Sequence, residues 1–135
     1  MSMTIRQILS KTPRSRRTAA EWVTLKTVKV KKSKDGFPMV LAKTIAKYNN
    51  LGVRKTPPPR HSYVTTIEVR GKNCIVSCSC DDFWAVWEYA LAQRDAAKIE
   101  YSNGKHPKEK NPQLLPGCCK HIYKLATTLI EQGKL

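Results

Sequence analysis

Three thiols and one imidazole stand at spacings that suit a metal ion. They are Cys78 and Cys80 in Val76-Ser77-Cys78-Ser79-Cys80, and Cys119 and His121 in Cys118-Cys119-Lys120-His121. Three sulfurs and one ring nitrogen close a tetrahedral shell, which is how structural zinc is held, so Zn2+ is the expected cofactor. The C-x-C…C-x-H spacing differs from that of fingers whose paired ligands stand further apart, and its convergence needs its own argument. Other chemistries weigh less. The cysteine count is five, an odd number, and neither a vicinal pair nor C-x-C easily meets disulfide geometry. A Cys–His nucleophile is a further option for such residues, but three thiols converging on one histidine suit a metal better. Cys74 and Cys118 read as small buried hydrophobes. Within the metal reading, His106 or Cys118 stays open as a substitute for one of the four.

The elements that must position these ligands are legible in the flanking residues. Ser62–Val69 and Asn73–Cys78 are rich in β-branched residues, and Arg70-Gly71-Lys72-Asn73 between them carries turn chemistry, which predicts a β-hairpin. A period of two then puts Cys74, Val76, Cys78 and Cys80 on one face. Cα atoms two apart on a strand are about 6.6 Å apart, whereas sulfurs on one zinc approach to about 3.7 Å. The chain must therefore bend after Cys78. The second pair needs the opposite device, because positions i and i+2 of a helix do not face each other. Pro116-Gly117 marks a turn, and Ile122, Leu125, Ala126, Leu129 and Ile130 follow at helical spacing. Cys119 is expected just before that helix and His121 in its first turn, where thiolates meet the positive end of the helix dipole.

Val76-x-Cys78-x-Cys80, the apolar Phe83 three places on, and Cys119-x-His121-Ile122 at a helix start together resemble the SWIM-type zinc finger. That family occurs in chromatin-remodelling ATPases, Mutator-type transposases, a kinase and many short phage and bacterial proteins. The resemblance implies a β-hairpin followed by an α-helix, with Cys78, Cys80, Cys119 and His121 in the four ligand positions. It also implies an accessory role in binding DNA or another protein. It covers residues from about 62 to the C-terminus and says nothing of the first half. The spacer from Asp81 to Cys118 departs from the pattern, being long enough to hold a helix and loop of its own.

The fold class expected is α+β: a small zinc-stapled hairpin with helices, of SWIM-like ββα type, joined to a basic, partly β N-terminal half. The expected divisions are a basic arm at 1–20, a basic hairpin region and Pro-rich linker at 21–60, and a zinc-binding domain at 61–135. Charge supports the split. The chain carries +15 overall, but residues 1–60 hold fifteen Lys and Arg against two acids (net +13), and residues 61–135 hold ten against eight (net +2). The positive field belongs to the first half. No stretch has the apolar length of a membrane span, and no secretory leader is evident, so reduced cysteines in an intracellular protein are expected. Residues 1–20 also have the composition of an organelle transit peptide. An intact basic arm is preferred, because the positive run continues past any plausible cleavage point.

Along the chain, Thr4–Leu9 predicts one helical turn with Ile5, Ile8 and Leu9 on one side, too short to stand without a docking surface. Ser10–Arg17 (SKTPRSRR) reads as an extended basic arm that orders beside phosphates. Trp22–Val30 and Met39–Ile45 are expected as paired strands about the Ser33-Lys34-Asp35-Gly36 turn, although the second run would also suit a helix. Lysines there either guard an edge or meet phosphate. Asn49–Gly52 is read as a further turn and Lys55–Arg60 as a stiff polyproline-like connector. Asp81 or Asp82 is expected to cap a helix reaching about Tyr101. Phe83, Val86, Trp87, Ala90 and Leu91 would form its core stripe with Trp84 beside it, and a polar loop would follow from Ser102 to Pro112.

These readings converge on a non-catalytic zinc module that binds nucleic acid, DNA ahead of RNA, with little sequence preference. Its contacts would be Arg14, Arg16, Arg17, Lys29, Lys31, Lys32 and Lys34. The alternative is a structural or adaptor component of a larger nucleoprotein assembly, such as a phage virion or a transcription complex. Four protein ligands leave zinc no open position and no H-x-E or H-E-x-x-H pairing is present, so no enzyme activity and no small-molecule substrate are expected. The setting expected is the cytoplasm, nucleoid or nucleus, or a virion.

Overall fold

A computed structural model describes residues 2–46 and 62–135. The fold described is α+β, with a four-stranded antiparallel sheet in the order β1-β2-β3-β4, helices packed with it, and a cysteine–histidine cluster. The strands are β1 (Val23–Lys32), β2 (Pro38–Ala46), β3 (Tyr63–Arg70) and β4 (Asn73–Cys78). The helices are α1 (Ile5–Lys11), α2 (Arg14–Ala19), α3 (Glu88–Ala92) and α4 (Lys120–Glu131). The turn expected at 49–52 and the connector at 55–60 lie outside the described residues. The strands on either side of that segment, β2 and β3, pair directly over Met39–Thr44 and Tyr63–Glu68. The basic half and the cysteine half thus share one sheet.

Both hairpins form where β-branched runs flank glycine. In the first, Gly36 sits at φ +83°, which L side chains rarely adopt, and its N–H donates to Ser33 O at 2.9 Å. In the second, Gly71-Lys72 is a two-residue loop with Gly71 at φ +64°, the sign pattern of a type II′ turn. Asp35 Oδ2 accepts from Arg70 Nη2 at 2.6 Å and from Lys98 Nζ at 2.8 Å, tying the tips of the two hairpins together.

The inner face of the sheet offers Val40, Ala42, Ile67, Cys74, Val76 and Cys78, and α4 lies against all four strands. Ile122, Leu125, Ala126 and Leu129 of α4 are fully or nearly fully buried there, while Ile130 is only half-buried. Ile5 and Ile8 join the same core, with Leu9 packed on its margin. The Thr4/Gln7 capping box starts α1: Gln7 N–H donates to Thr4 Oγ1 and Thr4 N–H to Gln7 Oε1. The expected short helical turn thus has its docking surface. The N-terminus and the spacer also close one side of the sheet, because Cys74 N–H donates to Met3 O and Val76 N–H to Ala96 O. β1 forms the other edge. A bulge between Leu25 and Thr27 reshapes it, and its last five residues are exposed on both faces.

Two expectations are corrected. Ser10–Arg17 is not an extended arm: Arg14–Ala19 is helical and continues into a 3₁₀ turn at Ala20–Trp22. Burial of Ala19 and Ala20, and a pairing of Arg16 described below, supply the tertiary contacts that composition did not reveal. The helix after Asp82 does not reach Tyr101 either. It is a π-helical turn, Phe83–Trp87, running into the five-residue α3. The expected stripe of Phe83, Val86, Trp87, Ala90 and Leu91 is buried as foreseen. The spacer beyond is irregular and held by two buried polar side chains. Glu88 accepts from the backbone N–H groups of Glu100, Tyr101 and Ser102 and from Ser102 Oγ at 2.8 Å. Asn111 Nδ2 donates to Val86 O at 2.9 Å and to Leu115 O at 3.0 Å.

Candidate metal centre

Cys78, Cys80, Cys119 and His121 come together at the junction of β4, the π-helical turn and α4. All four are buried, and their ligand atoms lie within 4.8 Å of one another. Each is set there by local structure. Cys78 ends β4 opposite Thr65, whose Oγ1 is 3.4 Å from its Sγ. The required bend follows at once. Ser79 N–H donates to Val64 O at 3.1 Å while Ser79 Oγ accepts from Val64 N–H at 3.0 Å, so the chain turns off the strand. That brings Cys80 to the start of the π-helical turn, where its Sγ accepts from Phe83 N–H at 3.4 Å. Cys119 is the N-cap of α4 in an extended conformation (φ −77°, ψ 168°). Because it precedes the helix, it and His121 in the first turn can point to the same place.

The electrostatics of the cluster favour a cation. Burial pushes the Cys78 thiol up, but hydrogen bonds from Cys119, Cys80 and Thr65 outweigh this and hold it well below the usual thiol range. Cys119 goes the other way, raised well above that range by burial and by its neighbours Cys78 and Cys80. Cys80 is favoured as thiolate by Cys119, yet Cys78 and burial leave it raised. The three sulfurs therefore compete with one another for ionisation. A divalent cation removes that competition, since each ligand must be deprotonated to bind it. His121 points the same way: its imidazole is buried beside Cys80, whose thiolate it favours, and among the described residues neither ring nitrogen makes a hydrogen bond of good geometry. An orphaned buried polar atom costs about 1–3 kcal/mol. Ligation of a metal would satisfy one of the two nitrogens. Tyr63 packs on the ring with centroids 5.0 Å apart.

The alternatives left open by the spacing are placed elsewhere. Cys118 Sγ lies 3.3 Å from Thr12 Oγ1, which also accepts from Cys118 N–H at 3.1 Å. His106 rests against Tyr89. Neither belongs to the cluster. Cys74 and Cys118 have thiols pushed by burial up to about 12, the behaviour of inert core residues.

Three residues beside the site, Arg16, Asp82 and Gly117, have roles that their sequence context did not announce. Arg16 Nη2 donates to Asp82 Oδ1 at 2.7 Å and its Nε to Oδ2 at 3.1 Å, and Trp87 Nε1 donates to Oδ2 at 3.3 Å. The guanidinium also lies 5.7 Å from the Trp87 ring centre. Asp82 thereby holds α2 against the turn that follows Cys80 instead of capping a helix. Asp82 chiefly, and Cys119 and Cys80 beyond it, favour the Arg16 cation. Gly117 is the third: a Cβ there would stand 2.8 Å from Trp87 Cζ3. The Pro116-Gly117 signal was visible, but its reason is this close approach beside Cys118 and Cys119.

Of the expected phosphate contacts, Lys29, Lys31, Lys32 and Lys34 are exposed on β1 and the following turn, and Arg14 and Arg17 are exposed on α2. Arg16 is bound to Asp82. No helix among the described residues is long and apolar enough to cross a membrane. Comparison with protein-family models, curated proteins and solved structures finds no match for this chain.

Proposed function

We propose that this chain is a non-catalytic zinc-binding module, SWIM-like in its ligand spacing, that binds nucleic acid through its basic N-terminal half with little sequence preference. The observation that carries the metal part is the convergence of Cys78, Cys80, Cys119 and His121 in one buried cluster. Zinc is the metal this donor set suits best: three soft sulfurs and one imidazole, tetrahedral and closed. Its role is structural, joining β4 to α4. The nucleic-acid part is supported by the net +13 of residues 1–60 and by the exposure of Lys29, Lys31, Lys32, Lys34, Arg14 and Arg17. DNA is favoured over RNA, and the protein would work inside the cell.

Metal analysis of the purified chain should give one zinc per molecule. A duplex-DNA shift assay across salt should give log K falling against log salt with a slope of about −5 if those six residues meet phosphates. A slope near zero would remove the nucleic-acid reading while leaving the metal one intact.

A second reading, a structural or adaptor part of a larger nucleoprotein assembly, is favoured by the edge strand β1, which among the described residues pairs with β2 alone. Val28 and Val30 of β1 are 46% and 71% exposed among the lysines, two uncovered apolar side chains on an edge strand to which a partner strand could add. Mass measured by light scattering, with and without DNA, separates the two: self-association without DNA supports the assembly.

A further inference from the structure

One face of the molecule is used by neither the metal nor the basic hairpin. Trp84 is the outward residue of the π-helical turn, 39% exposed, while Phe83, Val86 and Trp87 around it are buried. Its indole is fixed in place by donating Nε1–H to Asp81 Oδ1 at 3.1 Å. Facing it is the loop carrying Lys105, His106, Lys108, Glu109 and Lys110, and the two enclose a cleft of about 620 Å³. That is the size of a small-ligand site, within the usual range of about 300–1,000 Å³.

The far wall is not a loose loop. Ser102 at one end is locked to Glu88, and Asn111 at the other to the Val86 carbonyl. Both anchors belong to the helical segment that carries Trp84, so wall and tryptophan are held at a set separation. Within that wall three ammonium groups stand against one carboxylate, a local positive field inside a half of the chain whose net charge is only +2. His106 adds a buried Nδ1 that has no hydrogen-bond partner among the described residues. A fixed aromatic face opposite a cluster of lysines is complementary to a planar ring joined to a phosphate. π-Helical turns recur at functional positions, and Trp84 sits on one while its neighbours pack inward.

We propose that this cleft binds a nucleotide unit, with its base stacked on Trp84 and its phosphate held by Lys105, Lys108 and Lys110. The ligand's identity rests on the nucleic-acid reading above and refines it: an unpaired base can stack here, whereas a base inside a duplex presents no free face. The same chemistry is offered by a single strand and by a free nucleotide, and the test separates them.

The zinc-loaded full chain is titrated into a labelled single-stranded thymidine oligomer of roughly ten nucleotides, into a duplex of the same length, and with adenosine monophosphate. Three variants are compared: Trp84→Ala; the triple variant Lys105→Gln, Lys108→Gln, Lys110→Gln; and the hairpin variant Lys29→Gln, Lys31→Gln, Lys32→Gln, Lys34→Gln. Zinc content and thermal unfolding confirm that each is folded. Trp84→Ala should weaken single-strand binding by about 5- to 100-fold, the range for losing one stacked base, with duplex binding unchanged. The triple variant should weaken it too and lower the single-strand salt slope by about 2. Should Trp84→Ala fail to retain zinc, the triple variant decides. Saturable binding of the mononucleotide that disappears in Trp84→Ala assigns the cleft to free nucleotides, and strand binding alone assigns it to nucleic acid.

Wild-type single-strand affinity in both cleft variants, or equal losses on single strand and duplex, overturns the proposal. If those variants are silent while the hairpin variant loses duplex binding, the cleft proposal fails and the reading of the N-terminal half stands. If the cleft variants lose single-strand binding while the hairpin variant loses nothing, the reverse holds.

Discussion

The cysteine–histidine centre and the β1–β2 hairpin are built on opposite plans. At the centre, residues as far apart in the chain as Cys78 and His121 are buried together, each aimed by a neighbour: Thr65, Ser79, Phe83 N–H or the start of α4. On the hairpin, Lys29, Lys31, Lys32 and Lys34 stand in water with their neighbours Val28 and Val30 uncovered. In the first region energy depends on geometry, and removing a single ligand leaves the others stranded. In the second it depends on the number of charges, and any one lysine is replaceable. The contrast separates a buried cluster that depends on geometry from an exposed surface that depends on charge.

The largest effect should come from breaking the centre. Cys80→Ala or His121→Ala is expected to abolish zinc binding and the cooperative thermal transition of the whole chain, since structural zinc contributes on the order of 10 kcal/mol to folding. The whole chain is at stake because β1 and β2 share a sheet and core with the cysteine half. Cys74→Ala, equally buried but outside the cluster, should keep its zinc and lose about 1 kcal/mol. Retained cooperative melting in the zinc-free His121→Ala protein would show that the centre is not what holds the fold.

The next effect lies where the two plans meet, at α2. Arg16→Ala strands the Asp82 carboxylate next to the turn that follows Cys80 and should cost about 1–3 kcal/mol, read as a lower melting temperature. The double variant Arg14→Gln, Arg17→Gln, on the same helix but exposed, should change stability by no more than about 0.5 kcal/mol while weakening DNA binding. Equal stabilities for the two would mean that Arg16 behaves as one more surface charge. Gly117→Ala should cost about 1–3 kcal/mol, because the added methyl must displace Trp87. Differential scanning calorimetry at constant zinc loading checks this.

The smallest effect on stability is expected from the hairpin. Replacing Lys29, Lys31, Lys32 and Lys34 by Gln should leave the melting temperature almost unchanged. It should lower the duplex-DNA salt slope by about 3 to 4, close to one unit for each phosphate that is no longer neutralised. An unchanged slope would place the phosphate-binding residues elsewhere on the chain.

Much of the ligand set and both hairpins were legible without coordinates. Sulfur and imidazole at C-x-C and C-x-H spacing have few other uses in one buried place, and β-branched runs broken by Asp35-Gly36 or Gly71-Lys72 leave the backbone little choice. α4 was legible for the same reason, since its apolar spacing is helical over its full length. The N-terminal segment was only half legible. Ile5 and Ile8 announced a helix in need of a surface, but nothing in SKTPRSRR announces the Asp82 that binds Arg16 some sixty-six residues on. Glu88 was silent as well, because a buried carboxylate reveals itself only through the backbone N–H groups that surround it.

What the amino-acid order determined by itself was the local chemistry: which atoms could hold a metal, where the backbone had to turn, and where positive charge would gather. Those follow from side-chain type and from periods of two and 3.6, which involve only near neighbours. What only the tertiary structure decided was the pairing of distant groups. Asp82 serves Arg16 and Trp87 instead of a helix end, the spacer hangs from Glu88 and Asn111, and Trp84 faces a wall of lysines. Such choices turn on which of several satisfied arrangements also fills the core, and that comparison exists only once the whole chain has folded.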